Sequence, residues 1–257
     1  MSTLLIELAG PQQAWGSRSR FATRATESAP TKSGVVGLVA AALGLERTAS
    51  LKQFSGLRYG VRIDQPGRIE RDFQTTRSRD GKTSYPLSNR YFVADAVFLT
   101  ALEGERELLD EYRAALRAPR YPLFLGRRAF PPAGPIVTDL VDAPLETALA
   151  QHPWRARQHH RRRVRGDRVT LEVVRDAQPG ETADATLADV PVSFDPRRRA
   201  FASRDVVRTS IDVGRPAPLK PRTPDASHGA ETPKAGDRIL GEATDHDPGL
   251  LLTDEEV

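Results

Sequence analysis

Two segments of this 257-residue sequence combine residue types and spacing suited to anion chemistry. One is Gly126-Arg127-Arg128, where glycine lets the backbone approach a ligand and arginine forks match phosphate oxygens. The other is Pro30-Thr31-Lys32-Ser33-Gly34, a helix start. There Thr31 or Ser33 caps the first turn, and the remaining amides with the positive dipole end face an anion. The bland alternative is that Pro30 and Thr31 only start a helix. An NTPase phosphate loop needs a glycine, four residues and then Gly-Lys-Ser/Thr. Thr31 precedes Lys32 and no glycine stands at the required spacing, so NTP hydrolysis is not expected. The upstream loop, Gly10-Pro11-Gln12-Gln13-Ala14-Trp15-Gly16, runs into Arg18, Arg20 and Arg24. Arginines beside a tryptophan suit a polyanion with stackable bases, although Trp15 reads equally well as a core plug.

Catalytic signatures are sparse. There is no Gly-X-Ser-X-Gly elbow, no His-Glu-X-X-His and no cysteine, so thiolate catalysis, disulfides and cysteine metal sites are excluded. His159 and His160 are adjacent, which is poor geometry for sharing a metal. Neither a metal nor another cofactor is expected. Acid–base cleavage of RNA wants a histidine near a tyrosine or lysine. His152, His159, His160, His228 and His246 all lie outside the motifs above, while Lys82 and Tyr85 share one segment. Binding without catalysis is the favoured expectation. A metal-independent endoribonuclease is the alternative, and a plain protein-interaction module is a second.

Charge agrees with an anionic partner. The formal net charge is +4, but nine acidic against five basic residues fall after Gly214, leaving +8 in residues 1–214. Nearly all of that excess is arginine, and a basic body with an acidic tail is a pattern of nucleic-acid binders. The densest cluster, Arg155 to Arg168, holds seven arginines and one acid, Asp167. It reads as well as a solvated or partner-facing loop as it does as a nucleic-acid contact. No run of apolar residues is long enough to span a bilayer, and the opening MSTLLIELAGP lacks the features of a secretory signal. The cytoplasm is the expected compartment.

The elements that must position these residues follow from periodicity. Strands are expected at about 3–9, Leu57–Ile63, Tyr91–Leu102 and Ile136–Val141. Helices are expected at 34–45, closed by Gly44, and at Glu103–Arg117, ended by Pro119. The order β-α-β-β-α-β is that of a ferredoxin-like, RRM-like α+β domain over residues 1–150, although the aromatic motif of sheet-surface RRMs is absent. The insertion at about 68–90 carries Arg68, Arg71, Arg77, Arg79, Lys82 and Arg90 among Phe73, Tyr85 and Tyr91. With Asp80-Gly81 as its turn, it reads as a protruding β-hairpin. Residues 151–213 read as a smaller strand-rich C-terminal part. Residues 214–257 are low in large apolar groups and are expected to form a disordered acidic tail.

Four ordered blocks, LAGPQQAWG, PTKSGVVGLVAAALG, LGRRAFP (Leu125–Pro131) and FASR (Phe201–Arg204), resemble the CasD family of the RAMP superfamily. These are the subunits of type I-E CRISPR Cascade that hold the 5′ handle of the guide RNA (crRNA). The resemblance covers about residues 1–213. It implies a non-catalytic RNA-binding subunit in antiviral defence, contacting the Cascade backbone subunit and the large PAM-reading subunit, with target DNA met only indirectly. It assigns Gln13, Trp15, Arg24, Lys32, Ser33 and Gly34 to the handle from the first loop. Gln74, Thr75, Arg90 and Tyr91 fall on a hairpin "thumb" at the handle–spacer boundary. Gly126, Arg127 and Arg128 would grip phosphate, with Ser203 and Arg204 in the last block.

Overall fold

The computed structural model describes residues 1–16 and 23–215; Arg18, Arg20 and positions 216–257 of the tail lie outside the described residues. The chain runs β1 (Ser2–Gln13), β2 (Thr23–Arg24), α1 (Lys32–Leu43), β3 (Arg58–Gln65), β4 (Arg68–Arg77), β5 (Ser84–Gly104) and α2 (Arg106–Arg117). It continues through β6 (Thr138–Val141), α3 (Leu145–Gln151), α4 (Gln158–Arg161), β7 (Arg168–Asp176), β8 (Ala185–Ser193) and β9 (Ala200–Gly214). One large sheet has the order β6-β1-β5-β3-β7-β9-β8, with β2 and β4 also pairing with β5. These pairings are antiparallel except the short one between β2 and β5. The strands of residues 151–213 extend this sheet by pairing β7 onto β3, so the sheet is continuous across position 150.

β5 is the spine. It pairs with β1 from Ser2↔Gly104 to Gln13↔Val93 and, on its other side, with β3 from Arg58↔Glu103 to Gln65↔Val97. Its apolar residues therefore serve both faces, as a central strand requires. On one face Leu4, Ile6, Leu8, Tyr59, Val61, Phe98 and Leu102 pack with α1 and α2. On the other, Leu5, Leu99, Ala101 and Val173 pack with Leu145, Ala148 and Leu149 of α3. α1 is held at both ends: Thr31 accepts from the Gly34 amide at 3.2 Å, and Gly44 sits at φ +77° with its N–H on the Ala40 and Ala41 carbonyls. Periodicity puts one apolar face on this helix. The structure buries Val35, Val36, Leu38, Val39, Ala40 and Ala42, because β8 packs against α1 as well.

A third cluster closes the far end, with Trp154 and Ala156 on Leu171 and Val213. Beneath it Arg62 and Asp64 form an ion pair with both side chains wholly buried, Nε to Oδ1 2.6 Å and Nη2 to Oδ2 2.9 Å. The remaining guanidinium protons reach the carbonyls of Leu149, His152 and Pro153, where α3 ends. Asp64 Oδ2 also accepts the Arg155 amide at 2.5 Å, and the Asp64 carbonyl accepts Trp154 Nε1 at 2.8 Å. The pair stitches β3 to the chain after α3.

Arg62→Met should therefore cost roughly 3–5 kcal/mol, since it strands a buried carboxylate. Urea unfolding checks this, and Arg62→Met/Asp64→Leu should recover part of the loss.

Candidate nucleic-acid interface

The helix start expected to face an anion does so, but the anion belongs to the chain. Asp189 on β8 accepts the Lys32 amide through Oδ2 at 2.8 Å. Arg204 on β9 clamps the same carboxylate with both prongs, at 2.6 and 3.0 Å, and reaches Asp176 on β7 at 2.7 Å. Lys32 Nζ completes the ring, donating to Asp176 at 3.0 Å and to the Leu57 carbonyl at 2.6 Å. The Arg204 guanidinium also lies over the Tyr59 ring, 5.1 Å from its centroid. Burial alone would push this guanidinium down, but hydrogen bonding to Asp189 and the charges of Asp189 and Asp176 hold it above its ordinary value. Two cations and two anions thus neutralise each other in the interior.

Lys32 and Arg204, expected from the sequence to meet nucleic acid, both have buried side chains engaged within the chain. Ser33 is buried beside Thr31, and Gly34 is glycine because a Cβ would come within 2.8 Å of the Trp15 ring. Gln13 and Trp15 are likewise internal. Trp15 is 1% exposed and donates from Nε1 to Gln13 Oε1 at 3.2 Å, while Gln13 Nε2 donates to the Ala96 carbonyl at 2.9 Å. Trp15 is the core plug; its ring has no open face for a base.

The other expected residues converge at the base of the hairpin. β2 lays Arg24 beside Arg90, and β4 sets Asp72 opposite Arg90 on its other side. Arg127 reaches in from the loop after α2, donating to the carbonyls of Tyr91 at 2.8 Å and Arg24 at 3.2 Å, with its guanidinium 5.6 Å from the Phe130 ring centroid. Partial burial, followed by the like charges of Arg90 and Arg24, pushes the Arg127 guanidinium below its ordinary value; Asp72 offsets this only in part. Arg90 Nε is enclosed with no hydrogen-bond partner among the described residues. Gly126 makes the approach possible: at φ +85° it lies so near the Ala14 carbonyl that a Cβ would sit 1.7 Å from that oxygen. The loop is stitched by Ala14 N–H to the Leu125 carbonyl at 3.0 Å and Leu125 N–H to the Phe130 carbonyl at 2.7 Å. Arg128, next to it, is exposed.

Beyond this base, β4 and the first part of β5 form a hairpin exposed on both faces, with Ile69, Phe73, Tyr85 and Leu87 open to solvent. Gln74 and Thr75 lie on it, at a register shift opposite Pro86-Leu87. Ser203 is exposed on β9, between the two ends of the β8–β9 register shift and apart from the arginine cluster. Sequence reasoning missed Asp176 and Asp189, the partners that engage Lys32 and Arg204. It also missed α3, α4, β8 and the plug Trp154. The available signals were Trp154 after Pro153 and two carboxylates isolated in strand-like runs. No cluster of potential metal ligands occurs among the described residues.

The chain is thus a helix-backed antiparallel sheet with an exposed hairpin and a partly buried arginine cluster at its base. Residues 3–207 match the family described as CRISPR-associated protein (Cas_Cas5), and the chain belongs to that family. It is 32% identical over 234 residues to the CRISPR system Cascade subunit CasD of Escherichia coli (strain K12), covering 82% of this chain and 98% of that protein. Among solved structures it is similar to a crystal structure of a Cas protein, with TM-score 0.65 and 38% identity over 84% of this chain and all of that one. It is also similar to a chain of a CRISPR RNA-guided surveillance complex, with TM-score 0.69 and 30% identity, covering 82% of this chain and 91% of that one.

Removing Arg204 should act on stability. Arg204→Ala leaves Asp189 and Asp176 underpaired in the interior and should cost roughly 3–5 kcal/mol. Arg128→Ala, on the open surface, should change stability by less than about 0.5 kcal/mol. Chemical denaturation of both variants checks the contrast.

Proposed function

We propose that this chain is the Cascade subunit that holds the 5′ handle of a CRISPR guide RNA, gripping sugar-phosphate at the hairpin base without cutting it. The observation that carries this reading is the arginine cluster. Partial burial and then the like charges of nearby Arg90 and Arg24 push the Arg127 guanidinium down, against the opposing Asp72 carboxylate. Such like-charge crowding is unfavourable until an anion arrives, and a phosphate between the forks would relieve it. The solved relative is a chain of an RNA-guided complex, and the E. coli relative is a Cascade subunit. Together they make guide RNA the fitting polyanion.

In this reading the strand order β6-β1-β5-β3, with α1 and α2 on one face, is the ferredoxin-like core of an RNA-binding domain. The hairpin of residues 68–90 is its thumb, and β7–β9 are an accessory subdomain fused to the sheet. Gly126, Arg127, Arg128, Arg24, Arg90 and Tyr91 line the grip, while Gln74 and Thr75 stand farther out at the handle–spacer boundary. Phe73, Tyr85 and Leu87 are apolar surface that stacked bases or a neighbouring backbone subunit would cover. The large PAM-reading subunit would be a further neighbour, with target DNA reached through the assembly in the cytoplasm.

Arg127→Ala/Arg128→Ala should weaken retention of guide RNA and reduce the slope of log affinity against log salt by roughly one for each phosphate no longer held. Unchanged retention and slope would overturn the grip. Incubation of the purified chain with labelled repeat RNA in EDTA tests the binding-only reading, for which uncut RNA is expected. Discrete products would favour a metal-independent endoribonuclease.

A further inference from the structure

The arginine run after α3 is sorted by the structure into engaged and unengaged members. Arg155 donates to Glu7 at 2.6 Å, Arg157 lies 3.7 Å from Asp95, Arg161 donates to the Trp154 carbonyl at 2.7 Å, and Arg168 donates to the Asp212 carbonyl at 2.9 Å. Arg162, Arg163 and Arg165 are exposed, and among the described residues their side chains make no hydrogen bond or ion pair. They are not carried on a loose loop. The Arg162 amide donates to the Gln158 carbonyl and the Arg163 amide to the His160 carbonyl, both at 3.0 Å. Val164 packs into the Trp154 cluster between them and Arg165. The preceding chain is pinned by the Arg155 amide on Asp64, the Arg157 amide on Gln65 Oε1 at 3.1 Å, and His159 Nε2 against Asp95 at 2.9 Å.

We propose that Arg162, Arg163 and Arg165 form a second phosphate-backbone contact, for a nucleic-acid strand other than the guide handle. A protein interface needs an apolar centre with charges at its rim. The exposed large hydrophobics among the described residues, such as Phe73, Tyr85, Tyr121 and Val192, all lie outside residues 155–168. A predominantly cationic, pre-ordered patch, with Asp167 as the one acid of its run, instead matches a line of phosphates, where sequence-independent affinity comes from displaced counterions. None of these three arginines is among the charges that act on Arg127.

The inference rests on the reading of this chain as a subunit of a guide-RNA complex, and its test scores that reading separately. The complex is purified with wild-type chain, with Arg162→Gln/Arg163→Gln/Arg165→Gln, and with the corresponding triple lysine variant. Guide RNA per complex and subunit composition are measured first. Duplex DNA, single-stranded DNA and single-stranded RNA, each of arbitrary sequence, are then titrated across a salt series. The expected result is unchanged guide content and composition. For the strand that is contacted, the salt slope of the glutamine variant should fall by up to about 2.7 on a duplex. The lysine variant should keep that slope, and the responding probe identifies the strand. Unchanged slopes with all three probes would overturn the proposal. Loss of guide RNA would assign the patch to the guide, and loss of a neighbouring subunit would make it a protein contact; either outcome overturns it too. If wild-type complex carries no guide RNA, the handle reading fails instead.

Discussion

Asp189 places a carboxylate at the open end of α1, and the C-terminal strands depend on that contact for their position. The helix start supplies an amide and a dipole end, Arg204 supplies a two-pronged clamp, and Asp176 with Lys32 balances the charge. Each of β7, β8 and β9 contributes one member, so the three strands are fixed to α1 by charge as well as by the β3–β7 ladder. Buried ion pairs add little net stability over apolar packing, but breaking one is expensive. Here the gain is register: shifting β8 by one residue would turn Asp189 to the other face, taking its carboxylate from Arg204 and from the Lys32 amide. The apolar contacts of β8 with α1 alone would not impose so sharp a penalty.

That same network explains where sequence reading succeeded and where it failed. β1, α1, β3, the inner half of β5 and α2 were legible because their periodicity is strong and their caps are explicit, as at Thr31 and Gly44. β8 was not, since Pro191 and two register shifts break its alternation. The start of α1 was read as facing a ligand because a helix start with a lysine looks the same whether its anion is a phosphate or an internal carboxylate, and Arg204 was placed only by its family block. The deciding residue, Asp189, lies 157 positions from Lys32, beyond any local window. Trp15 was open between plug and stacking platform; the close approach of Gly34 to its ring decides for the plug. Arg24, Arg90, Tyr91, Gly126 and Arg127 were named from separate segments, and the structure brings them to one place.

The exposed hairpin and the arginine cluster share a logic opposite to that of the interior network. A two-stranded ribbon with solvent on both faces is marginal by itself, and like-charged guanidiniums held near the partly buried Arg127 repel it. At the cluster Arg127 finds backbone carbonyls for its protons, and the Asp72 carboxylate only partly offsets its like-charged neighbours. Gly126 shows that the proximity is built in, because any side chain there would force the loop away from Ala14 and carry Arg127 with it.

Counting arginines therefore misjudges where a basic protein is available to an anion. The densest run, Arg155–Arg168, is in large part structural, since its members hold Glu7, Asp95 and the carbonyls around Trp154. The sparser set at the hairpin base is the one under electrostatic stress. What distinguishes the two is the partner each guanidinium already has, and partners are set by topology. β3 carries Asp64 beneath the segment after α3, whereas the loop after α2 meets chiefly backbone carbonyls and other arginines. Charge that the fold has left without an ionic partner is a better guide to an anion's approach than arginine density, and in this protein the two do not coincide: four of the seven arginines in the densest run already have partners.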